Sequence, residues 1–142
     1  METLDFSTPH KAYHSTRVLC DQMGLSLEHC VEVDGVMYQP KDIICACIYQ
    51  ESGFDNDAKC YNKNSKGIVT SVDVGVVQIN SFYHCGKRKD FPSTDYVIAN
   101  PQKAVKWMIK CYQEGQLKMW VSFSSGAYKH WLKDNSPMWN LG

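Results

Sequence analysis

The sequence predicts an α+β fold, mostly helical, with a small antiparallel β-hairpin or sheet. Three observations carry that prediction. Two segments with helical apolar spacing are each opened by a proline, Pro40 and Pro101. A β-branched run at 72–79 follows a polar stretch. Helical patterns stand on both sides of that run, which separates the strands from the helices instead of alternating them.

Each element has its own signal. Residues 1–14 are polar at the start and read as a flexible lead-in, with 15–142 as a single domain. Ser15 is placed to cap a short helix carrying Val18, Leu19 and Met23, stopped by Gly24. Residues 31–35 read as a turn or weak strand. Pro40 opens a second helix whose stripe is Ile43, Ile44, Cys47 and Ile48, ending near Gly53 with Glu51 in its last turn. From 55 to 71 the chain turns polar, with Asn56, Asn62, Asn64, Ser65 and Gly67, and reads as a loop feeding a hairpin. Asn100-Pro101 gives a cap and first turn for a third helix with Ala104, Val105, Met108, Ile109 and Tyr112, closed by Gly115. Residues 117–123 and 127–132 read as two shorter helices split by Ser124-Ser125-Gly126, and the tail after Lys133 as irregular. Neither an internal repeat nor a dividing linker is visible.

Size and charge exclude several classes. At 142 residues, 44% apolar and 21% charged, the chain matches one ordinary globular domain with a sizeable core. No apolar run approaches the roughly 20 residues that span a bilayer, so no membrane partner is expected. Fifteen Lys and Arg balance fifteen Asp and Glu. A nucleic-acid binder shows a basic excess or stripe, whereas the densest basic cluster here, Lys87-Arg88-Lys89, is followed at once by Asp90 and reads as a solvated turn. No nucleic-acid partner is expected. Seven cysteines cannot all pair within one chain, and the first seven residues lack the regions of a signal peptide. The expectation is a reduced protein made in the cytoplasm.

Glu51 is the most suggestive side chain. It follows an almost charge-free segment, 43–50. Apolar walls and the negative end of a helix dipole both favour the neutral carboxyl, which is the form a general acid requires. A glutamate reaching to solvent from a helix end is the plainer reading of the same position, and both stand at this point. Downstream, Asp73 sits in a segment where strand propensity disfavours it. Gly75 permits close approach of a ligand or of another segment. Gln78 and Asn80 share a strand face by alternation and offer donors and acceptors suited to sugar hydroxyls. One acid from a helix end and one from a strand, facing across a groove, is the pattern for cleaving a glycosidic bond.

Other residues read more plainly. Cys45 and Cys47 point to different sides of a helix, and Cys60, His84 and Cys85 lack zinc-ligand spacing, so buried free thiols are expected and no metal or other cofactor. Trp107, Trp131 and Trp139 are expected as core or partner-facing anchors without a catalytic role. His84 is expected at the surface.

The ordered set Glu51-Ser52-Gly53-Phe54 and Asp73-x-Gly75-x-x-Gln78-Ile79-Asn80-Ser81 resembles the lysozyme-like superfamily. It is similar both to c-type lysozymes and to lytic transglycosylase domains, including phage-encoded members. Tyr83 and Cys85 fall where c-type lysozymes carry a sugar-stacking aromatic and a cysteine. Residues 119–123 resemble the late helix whose tryptophan packs on the acid, and 124–129 resemble an ending common in phage-type members. The similarity covers 15–132 patchily and is dense at 51–54, 73–85 and 100–129.

The resemblance implies a lysozyme-like fold whose sheet flanks an active-site cleft. It implies a muramidase that cleaves the β-1,4 bond between N-acetylmuramic acid and N-acetylglucosamine in peptidoglycan. Glu51 would be the general acid and Asp73 the nucleophile or transition-state stabiliser. Trp120 would wall the acid, and Ser52, Gln78, Asn80, Tyr83 and Tyr128 would join it in binding the glycan strand. For Tyr83 and Tyr128, simple packing is an equal reading. The same resemblance admits a lytic transglycosylase, with Glu51 alone forming a 1,6-anhydro product, and a non-catalytic glycan- or protein-binding module. A redox or metal protein built on the cysteines is the weakest alternative. The expected partner is peptidoglycan, the expected state a monomer, and the expected place of action the bacterial wall, reached by holin-type release or in a virion. Departures are visible too. The family's disulfide framework, its strong positive charge and the Ala-Tyr-Asn-Ala-Gly ending of many transglycosylases are missing, and Phe123 offers no tyrosine hydroxyl to the acid.

Overall fold

The computed structural model describes residues 3–135. The fold is α+β and mostly helical, with two small antiparallel sheets. At its centre lies α2, Pro40–Ser52, in contact with α1 (Pro9–Gln22), α5 (Pro101–Gln113), α6 (Val121–Ser124) and α7 (Tyr128–Asn135). That surround explains its composition, because a helix covered on all sides is apolar on all sides. Ile43 through Ile48 are all buried. Pro40 opens it, and Gly53, at φ 63°, closes it in the left-handed conformation with its N–H bonded to the Tyr49 carbonyl. Among the core positions, Asp42 is an exception: buried near the start of α2, it accepts a 2.9 Å hydrogen bond from Arg17.

The first helix corrects the expected lead-in. Instead of a flexible 1–14, α1 begins at Pro9, and the Thr8 hydroxyl accepts from the Lys11 N–H. Phe6 and Ala12 are buried. Ser15 is not a cap. It lies inside α1, where its hydroxyl accepts from the Asp5 N–H and donates to the Asp5 carbonyl, tying the leading segment to the helix.

Strands β1 (Val31–Val33) and β2 (Val36–Tyr38) form a hairpin through Asp34 and Gly35, both at positive φ as a two-residue primed turn requires. The second sheet has the order β3 (Lys59–Lys63), β4 (Val69–Val74), β5 (Ile79–Asn80). Part of the stretch expected as a polar loop is therefore strand. Four of the five β3 residues are exposed, so the apolar alternation that marks a half-buried strand is absent. Two short helices, α3 (Ser81–His84) and α4 (Thr94–Ala99), also lack a long periodic signal; they are set by the caps Asn80 and Ser93.

The stripe on α5 is as read, with Ala104, Val105, Met108 and Ile109 buried. Asn100 is not a side-chain cap, since its amide donates to the Tyr96 carbonyl. The segment 117–123 is broken. A 3-10 turn, Leu117–Met119, is followed by Trp120 in extended conformation and only then by α6. The Trp120 indole explains the break, because its Nε1–H reaches the Val77 carbonyl at 2.7 Å, and the backbone bends to deliver it. Helix α7 runs past Lys133 to Asn135; Trp139 and the rest of the tail lie outside the described residues. Trp131 is buried against Tyr13 and Tyr49. Cys20, Cys45, Cys47 and Cys111 are buried free thiols, whereas Cys30 and Cys60 are exposed. Among the described residues, no helix is long and apolar enough to cross a membrane.

Candidate active site

The register of the second sheet collects polar groups on one face. Asn62 stands opposite Ser71, and Asp73 lies between Cys60 on one side and Asn80 on the other. Cross-strand partners share a face, so Asn62, Ser71, Asp73 and Asn80 look the same way. They form one wall of a cavity of about 420 Å³. The C-terminal end of α2 brings Glu51 to the opposite wall, and Trp107, Met119, Trp120 and Val121 complete the apolar side.

Glu51 is half-buried, and its Oε2 accepts the Ser122 N–H at 3.1 Å. Burial is the chief influence on its proton, and raises its pKa above the ordinary glutamate value. The hydrogen bond from the Ser122 N–H pulls the other way, and the negative charge of Asp73 adds to the rise. The net direction is upward. Trp120 is buried, lines the same cavity and meets Trp107 edge-to-face at 5.3 Å.

Asp73 has different surroundings. Its Oδ1 accepts from the Asn80 amide at 2.9 Å and its Oδ2 from the Asn62 amide at 3.1 Å. The same two amides donate to the Ser71 hydroxyl at 3.2 and 3.1 Å. Each NH₂ thus spends both hydrogens, one on the carboxylate and one on the serine, and the carboxylate is held from both ends.

The structure redistributes several expected roles. Asn80 lines the cavity, but its amide is committed to Asp73 and Ser71 while its Oδ1 caps α3 through the Phe82 and Tyr83 N–H groups. Gln78 is not on a strand face; it sits at φ 53° in the 75–78 turn, and its amide donates to the Ala58 and Gly75 carbonyls. Both line the cavity with their amide donors committed within the protein. Ser52 lies outside the cavity lining. Its hydroxyl donates to the Val76 carbonyl at 2.6 Å and accepts from the Phe54 N–H, which ties the end of α2 to the turn beyond Asp73. Tyr128 is buried in a stack on Phe123 at 4.9 Å and does not line the cavity. Tyr83 stands 65% exposed on the cavity's lip, open to a ligand. Gly75 sits at φ 81°, and a Cβ there would make only ordinary contact with Asn56 and Val97, so its freedom serves the turn.

Sequence reasoning missed Asn62, Ser71, Ser122 and Trp107 as site residues. The Asn64-to-Gly67 turn was a usable signal for the first two, because folding the chain back there sets Asn62 beside Ser71. His84 is half-buried instead of at the surface. Its Nδ1 lies 2.9 Å from Asp90, and its ring packs on Trp107. Nothing in the sequence signalled Ser122, which acts through its backbone.

No protein-family model and no curated protein sequence matches this chain.

Proposed function

We propose that this protein is a peptidoglycan-cleaving glycosidase, a muramidase in which Glu51 is the general acid and Asp73 the charged partner. One observation carries the reading: two carboxyl groups border one cavity in unlike surroundings, Glu51 half-buried with its pKa raised by burial, Asp73 held between the Asn62 and Asn80 amides. The motif resemblance supports the same assignment.

In the reaction, neutral Glu51 gives its proton to the glycosidic oxygen as the bond from C1 to that oxygen breaks. Positive charge grows on C1 and the ring oxygen, and the Asp73 carboxylate stabilises it. The amides of Asn62 and Asn80 hold that carboxylate in place before charge develops, so no reorganisation is needed at the moment of cleavage. Water then adds to C1 and returns its proton to Glu51, which restores the acid. The exposed ring of Tyr83 and the side chains of Met119 and Val121 offer apolar faces for sugar rings at the cavity's edge. The place of action is the bacterial wall, as a released endolysin or a virion-borne enzyme.

The test is mass analysis of fragments released from purified peptidoglycan. The wild type should release fragments with a hydrolysed reducing end, and Glu51→Gln should release none. Fragments lighter by one water would assign the lytic transglycosylase chemistry instead. Equal release by Glu51→Gln would remove the acid from Glu51. Glycan binding without any release by the wild type would make the protein a binding module.

A further inference from the structure

A second cavity, of about 310 Å³, also has Trp107 in its lining. We propose that it is a subsite for a short acidic peptide carried by the substrate strand, a proposal that rests on the glycan reading of the main cleft.

Lys103, Lys106 and Lys110 of α5 form its rim, over a floor that includes Phe91, Tyr96 and Met23. The i, i+3, i+7 spacing places all three on one face of the helix, strung over about 10 Å of its axis. All three are exposed. Among the described residues, none has a carboxylate within ion-pair distance. Lys103 instead donates to the Tyr96 hydroxyl at 2.7 Å and lies 5.3 Å from the centre of that ring. The acidic group in the cavity wall is Asp90, and it faces His84 at 2.9 Å. Three ammonium groups and one carboxylate thus line this cavity, a local excess of positive charge in a chain of zero net charge.

The chemistry of the rim selects the ligand. Lysine ammonium groups are point charges, unlike the arginine fork that grips a single phosphate from two directions. Three such charges spread along a helix match separate carboxylates on an extended chain. The apolar floor suits small aliphatic side chains between them. Trp107 lines both cavities, so a sugar in the main cleft and a peptide branching from it would share one indole. The peptide stem of peptidoglycan has this character: short, acidic, and rich in alanine.

Binding is tested without turnover in the full-length Glu51→Gln chain by NMR titration. The probes are a soluble N-acetylmuramoyl-pentapeptide, neutral chitotriose and a glycerol-phosphate oligomer. The muramoyl-peptide should shift the amides of Lys103, Lys106 and Lys110 and the Trp107 indole. The triple variant Lys103→Gln/Lys106→Gln/Lys110→Gln should weaken that binding about tenfold or more, as loss of charge-assisted hydrogen bonds requires. Its chitotriose affinity should stay within about twofold of the parent's, since a neutral sugar gains little from a distant charge. Unchanged muramoyl-peptide affinity in the triple variant, or shifts confined to the main cleft, would overturn the subsite. Tighter binding of the glycerol-phosphate oligomer at the lysines would overturn its peptide identity. Peptide binding at the lysines with no chitotriose binding would uphold the subsite and count against the glycan reading of the cleft, so the two failures are distinguishable.

Discussion

Glu51 is half-buried at a cavity that Asp73 also lines, and Asp73 sits between two amide donors. In the proposed reaction the same functional group takes two roles, and its neighbours differ accordingly. Asn62 is the residue that tests this, because its amide reaches Asp73 but it belongs to an exposed strand. Removing a hydrogen bond to a charged group costs about 1.5–3 kcal/mol, and each 1.4 kcal/mol taken from the transition state is about tenfold in rate. Asn62→Ala should lower kcat by about tenfold or more on a soluble glycan while leaving the thermal midpoint within a few degrees of wild type. An unchanged kcat would show that the orientation of Asp73 does not matter. At this scale the sequence pointed to residues that line one cavity, Glu51, Asp73, Gln78 and Asn80, but not to the bonds the two amides make. Asn80 and Gln78 were read as sugar-binding because side-chain type says what a group can bond, not which bond it has already made.

The elements matter through how they are joined. Glu51 belongs to a helix and Asp73 to a sheet, and the Ser52 hydroxyl links the two through the Val76 carbonyl at 2.6 Å. Ser52→Ala leaves that half-buried contact unmade, a loss of about 1–3 kcal/mol. Activity should fall along with stability, and a double variant with Asn62→Ala should show less than the product of the two separate rate losses, since both disturb one alignment. Independent, multiplicative losses in kinetic assays would contradict that link. Helices α2 and α5 were legible because each has a proline start, a glycine at or just past its end, and buried residues at helical spacing. Strand β3 and helices α3 and α4 were not, since a solvated strand and one-turn or two-turn helices are set by tertiary contacts and caps. The break at Trp120 has the same origin: helical propensity would continue through it, and the bond to Val77 wins.

Across the whole molecule, the acid that serves chemistry should cost stability. A carboxyl whose native pKa is raised binds its proton more tightly folded than unfolded, so its stabilising share is complete below the unfolded value of about 4.3. That share is lost as pH rises through the native value. Glu51→Gln removes the titration. The variant should melt higher than wild type at pH 7, and the difference should shrink toward pH 4. A difference that is constant, or larger at pH 4, would contradict the sign. The overall plan of a mostly helical α+β fold followed from the order of patterns along the chain, and the Arg17–Asp42 pair in the core did not, because its partners are 25 positions apart and meet only when α1 packs on α2. The most direct test of the account is the ¹³C NMR titration of the Glu51 side-chain carboxyl in the wild-type protein. Its midpoint should lie above the ordinary glutamate range and drop toward it in Trp120→Phe; a midpoint at or below that range in the wild type would contradict the assignment of Glu51 as the acid.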